Sequence, residues 1–126
     1  MNDVATLTEK ILKYAFKVHS ALGPGLLESA YKQCLYYELV KNGIYVEKEK
    51  VMPLYYEEIK MDAGFRADII IADMVIVELK SINTLAPVHY KQVQTYLKLT
   101  NLRLRLLINF NVNLIKDGIH RVVNKL

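Results

Sequence analysis

Asp68, Glu78 and Lys80 are the residues whose types and spacing could do chemistry. They fall within Phe65 to Lys80, FRADIIIADMVIVELK, which reads as two strands joined at Ala72-Asp73-Met74, a short polar break between β-branched runs. Pairing centred on Asp73 puts Asp68 opposite Glu78, Arg66 opposite Lys80 and Ile70 opposite Ile76. Two carboxylates facing each other with Cβ atoms roughly 5 Å apart normally destabilise a sheet. A divalent cation reverses that sign. Mg²⁺, or Mn²⁺ in its place, takes one or two carboxylates and fills its remaining positions with water and phosphate oxygens. Lys80 projects to the same side as Glu78, where it could orient a water or stabilise phosphoryl charge. The plainer reading of this face is a solvated strand with diagonal pairs Arg66–Glu78 and Asp68–Lys80, each a weak salt bridge.

The opposite face of the hairpin, Ala67, Ile69, Ile71, Val75, Val77 and Leu79, is wholly apolar and must be buried. The flanking segments supply what covers it. From Asn2 to Leu22, apolar Leu7, Ile11, Ala15, Val18 and Leu22 recur at helical spacing, with Thr6 or Thr8 as candidate cap. Gly23-Pro24-Gly25 stops that helix, and a second is expected from about Leu26 to Asn42, with Gly43 closing it. Tyr45 to Lys50 and Met52 to Ile59 read as separate strands, and Lys60 to Gly64 as a turn. A helix beginning at Pro87 and running to about Thr100 puts His89, Gln92 and Tyr96 along one side. Leu104 to Phe110 is a strongly apolar central strand, Asp117-Gly118 a turn and Ile119 to Val123 a final strand.

Four landmarks in order carry a resemblance. Asp68 followed by Glu78-Leu79-Lys80 resembles the PD-(D/E)XK nuclease pattern, with Ala67 where the eponymous proline would stand. Gly25-Leu26-Leu27-Glu28-Ser29-Ala30-Tyr31 is similar to the signature of the GxxExxY family. Gln92-Val93-Gln94-Thr95-Tyr96 resembles the QxxxY helix of RecB-like nucleases, and Leu106 to Phe110 the strand that follows it. The resemblance covers about Leu7 to Val123. It implies a single domain over 1–126 with a restriction-endonuclease-like α/β core, a mixed central sheet flanked by helices. It implies hydrolysis of nucleic-acid phosphodiesters, DNA ahead of RNA, with Mg²⁺ or Mn²⁺ held by Asp68, Glu78 and Glu28. Lys80 and Gln92 join the catalytic set on this basis, and Tyr31, Tyr96 and Arg66 are expected on the substrate side. Without the resemblance, Glu28 is simply an acid well placed at a helix N-terminus.

The composition permits this and excludes other classes. A chain of 126 residues, 52% hydrophobic, folds around a single core. Its net charge of +4 suits a polyanionic partner without demanding one. Lone Cys34 forms no internal disulfide and no cysteine-based zinc site, and His19, His89 and His120 show no zinc-triad spacing. Short apolar runs and the absence of a signal-peptide pattern lead to the expectation of a cytoplasmic protein. Homodimerisation is an expectation for a small nuclease that must engage two strands. The rival reading is a non-catalytic nucleic-acid- or protein-binding module on the same fold.

Overall fold

A computed structural model describes residues 3–98, 102 and 104–123, leaving aside the side chains at 62, 63, 65, 93, 96 and 97. Helices α1 (Val4–Leu22) and α2 (Glu28–Lys41) come first, followed by strands β1 (Val46–Tyr56), β2 (Ile59–Ile71) and β3 (Val75–Lys80). Helix α3 (Pro87–Lys98) then leads to β4 (Leu104–Asn109), a single 3-10 turn (Ile115–Gly118) and β5 (Ile119–Val123). The strands form one sheet in the order β1-β2-β3-β4-β5, antiparallel throughout except for the β3–β4 pair. This is a mixed sheet flanked by helices, a restriction-endonuclease-like α/β fold.

One face of the sheet carries α1 and α2. Leu7, Ile11, Ala15 and Val18 of α1 and Tyr31, Leu35 and Leu39 of α2 pack on Ile69, Ile71, Val75, Val77, Leu79, Leu106 and Ile108. Full burial of these seven β-branched or leucine side chains on β3 and its neighbours supplies the main driving force, at about 1.5–3 kcal/mol each. Helix α3 covers the reverse face. Its Tyr90 meets His120 of β5 edge-on at 5.3 Å, and His120 pairs with Leu107, which points away from the Leu106 and Ile108 side. With both faces covered, β4 is buried along its whole length, so its near-continuous apolar run is the expected composition.

The central hairpin turns at Ala72 and Asp73, both with positive φ, and pairs Ile69 with Val77, Ile70 with Ile76 and Ile71 with Val75, in the register symmetric about Asp73. Other expectations need correcting. Asp3, not Thr6 or Thr8, caps α1, its carboxylate accepting from the Thr6 N–H at 2.7 Å, while Thr8 bonds back to the Val4 carbonyl. Leu22 is 40% exposed at the helix end and so lies off the buried stripe. Helix α2 begins at Glu28 rather than Leu26, Leu27 standing as its extended N-cap.

The segment from Tyr45 to Gly64 is not two strands and a turn but the two arms of one long hairpin. Its turn lies at Glu57-Glu58, whose φ values of 52° and 67° close a two-residue loop without glycine. Pro53 fits inside β1 because β1 is an edge strand, where a missing N–H breaks no ladder. Gly64 stands opposite Pro53, and any Cβ there would strike the Met52 carbonyl. Ala67 also differs from expectation. It packs with Ile70 and Ile76 on the reverse face rather than with Ile69. The alternation of β2 breaks at Asp68, between the Lys48–Ile69 and Lys50–Ala67 pairs, where Glu49 of β1 has φ 54°.

Candidate active site

The site forms where β2 and β3 part. Their paired ladder runs out at Ile69–Val77, and the next inward N–H of β3, that of Leu79, donates to Asp68 Oδ2 at 3.0 Å. A side-chain oxygen thus stands where a continued ladder would place a backbone carbonyl. Asp68 Oδ1 pairs with Lys32 Nζ of α2 at 3.1 Å, and Lys32 also lies 3.8 Å from Glu49.

Glu78 lies on the reverse face with Ile76, and its Oε1 accepts from Arg105 Nη2 at 2.8 Å. Arg105 pairs with Ile76 across the β3–β4 ladder, and its side chain is fully buried. A charge at that depth is tolerated because it is matched at close range. Lys80 follows on the same side of β3, half-buried at the strand end, opposite Asn109.

Glu28 opens α2, so its carboxylate starts at the positive end of the helix dipole. Even so, burial and then the like charge of Asp68 push its pKa up, against the pull of Lys80 and Lys32. Glu78 is pushed up to about 7 by burial and by Asp68, with Arg105 and Lys80 opposing. Burial pulls Lys32 down, but its hydrogen bond to Asp68 and the charges of Asp68, Glu28 and Glu49 outweigh that and leave it raised. Asp68, Glu28 and Glu78 therefore sense Lys32, Lys80 and Arg105 here, Glu49 joins through Lys32, and Asp68 is the acid that acts on both Glu28 and Glu78.

The backbone around these groups is pinned. Tyr31 is fully buried, stacked on Phe110 at 4.6 Å, and its hydroxyl donates to the Gly23 carbonyl and accepts from the Leu26 N–H. It fixes the connection that delivers Glu28 and has no exposed surface for a substrate. Ser81 Oγ donates to the Leu26 carbonyl, tying the end of β3 to the start of α2. Asn109 accepts from the Ile82 and Asn111 N–H groups and donates to the Ile82 carbonyl, so one amide holds the loop that leaves Lys80.

Asp68, Glu78, Glu28 and Lys80 are thus brought together. Gln92 is exposed on α3 and Arg66 is exposed on β2 opposite Val51; among the described residues neither bonds to the cluster. The Tyr96 side chain lies outside the described residues. His89 Nδ1 accepts from the Ala86 N–H at 2.8 Å and so closes the first turn of α3. Lys32 and Arg105 were not singled out from the sequence. The available signals were a lysine four residues after Glu28, hence on the same helix face, and an arginine inside an otherwise apolar strand.

Among the described residues no three His, Cys, Asp or Glu side chains close into a metal cage. The donors present suit a hard cation that brings part of its own shell. Asp68 and Glu78 are carboxylates held at the strand split, Glu78 meets Arg105 Nη2 through Oε1, and two of the three acids carry proton affinities raised by burial and by the like charge of Asp68.

Among the described residues, no helix is long and apolar enough to cross a membrane. No curated protein and no solved structure matches the chain. The model of the PD-(D/E)XK nuclease superfamily matches residues 5–122, which take in both arms of the acidic hairpin, Glu28 and α3. With the acidic pair, the following lysine and the mixed sheet all in place over that span, the chain belongs to the PD-(D/E)XK nuclease superfamily.

Proposed function

We propose that this protein is a metal-dependent nuclease of the GxxExxY type, hydrolysing phosphodiesters of nucleic acid, DNA ahead of RNA, with Mg²⁺ or Mn²⁺. The observation that carries the reading is the convergence of Asp68, Glu78, Glu28 and Lys80 at the parting of β2 and β3. Asp68 and Glu78, with Glu28 beside them, would hold the cation. When bound, it would lower the pKa of the attacking water and offset charge on the phosphate.

The remaining work falls to side chains of this chain. Arg105 holds Glu78 through Oε1, and the other carboxylate oxygen would be the one offered to a cation. The Leu79 N–H does the same for Asp68. Lys80, whose charge is felt by both Glu28 and Glu78, orients the nucleophilic water or takes up charge developing on the phosphoryl oxygens. Gln92, Arg66 and Tyr96 remain candidates for substrate contact, Tyr31 for ordering Glu28. A cytoplasmic homodimer would present two such sites to the two strands of a duplex.

Cleavage of plasmid and oligonucleotide substrates by Asp68→Ala and Lys80→Ala variants tests the reading. Both should lose activity while keeping the far-UV spectrum and cooperative melting of the wild type. Retained cleavage in either variant would sink the assignment.

One observation favours a non-catalytic binding module instead. Asp68 and Glu78 each already have a protein cation, Lys32 and Arg105, which is how a purely structural ion-pair cluster would look. Calorimetric titration of Mg²⁺ or Mn²⁺ into wild type and an Asp68→Ala, Glu78→Ala double variant separates the two. A metal site binds only in the wild type; a structural cluster binds in neither.

A further inference from the structure

Asp68 spends its two oxygens differently. Oδ2 accepts from a backbone N–H of the central strand, a donor that cannot move without breaking the sheet. Oδ1 is held at 3.1 Å by the tip of a lysine, four flexible methylenes from its helix. A hard cation that takes Asp68 as a ligand must therefore displace the lysine and not the amide. The contrast with Glu78 is one of burial. Arg105 is fully buried against it, whereas the Lys32 side chain is 16% exposed and has somewhere else to go.

That alternative is Glu49. Its Oε1 lies 3.8 Å from Lys32 Nζ, on the exposed edge strand, with the residue held at φ 54° between the Lys48–Ile69 and Lys50–Ala67 pairs. Lys32 thus sits between two carboxylates, closer to the one that the cation needs. Moving to Glu49 keeps its ammonium paired while freeing Oδ1.

Resting on the metal-dependent reading above, we infer that Lys32 is the internal counter-ion of this site: it occupies Asp68 in the metal-free protein and passes to Glu49 when a divalent cation loads. Lys32 then sets the metal affinity by competition. It also offsets part of the repulsion that Asp68 exerts on Glu28, alongside Lys80.

The test is Mn²⁺ alone, titrated by calorimetry at neutral pH and low salt into wild type, Lys32→Met, Glu49→Gln and the double variant. A thermal melt of each metal-free protein confirms that it is folded. Removing the competitor should tighten Mn²⁺ binding about fivefold in Lys32→Met, the scale expected for a partly exposed ion pair. Removing the landing place should weaken it about threefold in Glu49→Gln. The double variant should match Lys32→Met, because without the lysine Glu49 has nothing to receive.

Through-space charge effects alone would instead add in the double variant, and that additivity would overturn the switch. So would Lys32→Met binding that is unchanged or weaker. No binding in any of the four proteins would overturn this inference together with the metal-dependent reading. Binding in wild type without the non-additive pattern would overturn this inference alone.

Discussion

Arg105 Nη2 lies 2.8 Å from Glu78 Oε1, and the arginine side chain has no solvent exposure. The pair couples β4 to the acid of the central strand, so stability and site geometry depend on the same contact. Arg105→Met should destabilise the protein by about 3–5 kcal/mol, the usual result of stranding one member of a buried ion pair. Adding Glu78→Leu should recover part of that loss. Urea unfolding of the two variants checks it: equal stability of the single variant and wild type would contradict the coupling.

The pH dependence follows from Glu78, whose pKa is raised from 4.5 to about 7. A carboxyl with a raised folded-state pKa binds its proton more tightly in the native protein than in the unfolded chain. Its contribution to stability is therefore complete below about pH 4.5 and is lost as pH climbs to 7. Melting temperature of the metal-free protein should fall across that window, and Glu78→Gln should flatten the fall. Metal competes with the same proton, so Mn²⁺ affinity should rise over the same interval. A melting profile of wild type that matches Glu78→Gln would remove the basis for both statements.

Tyr31→Phe keeps the ring on Phe110 but strands the Gly23 carbonyl and the Leu26 N–H. The expected loss is about 1–3 kcal/mol of stability. Because the residue is buried and acts through the Glu28 segment, kcat should fall while KM for nucleic acid stays put. A raised KM with normal kcat would point to substrate contact.

Gly118→Ala places a Cβ against the Asn109 carbonyl and Val112 Cγ2. Asn109 organises the loop after Lys80, so the clash is transmitted to the site. A loss of about 1–3 kcal/mol is expected, as for an overpacked core position, with lower cleavage activity. Calorimetric melting compared with a single-turnover assay would show whether both fall.

Much of the site was legible along the chain because it is local. The hairpin symmetric about Asp73 follows from two β-branched runs around a short polar break, and its three observed pairs keep that register. Leu7, Ile11, Ala15 and Val18 form the buried stripe of α1 because a 3.6-residue period is a property of the sequence itself. The edge hairpin was less legible. Turns at Glu57-Glu58 lack the Asn-Gly chemistry that would announce them, and their positive φ is imposed by the strands on either side.

Sequence alone determined the acidic pair, the lysine beyond it, the glutamate at the start of α2 and the order of the landmarks that frame them. Only the tertiary structure decided which cations those acids meet. Lys32 reaches Asp68 because α2 packs over the split between β2 and β3, and Arg105 reaches Glu78 because β4 runs parallel to β3 in one particular register. The alternation break at Asp68, likewise, depends on the backbone of Glu49 in a neighbouring strand. Charge pairing and burial depend on neighbours in space, and residues brought together by sheet register and helix packing leave no periodic trace in the chain that holds them.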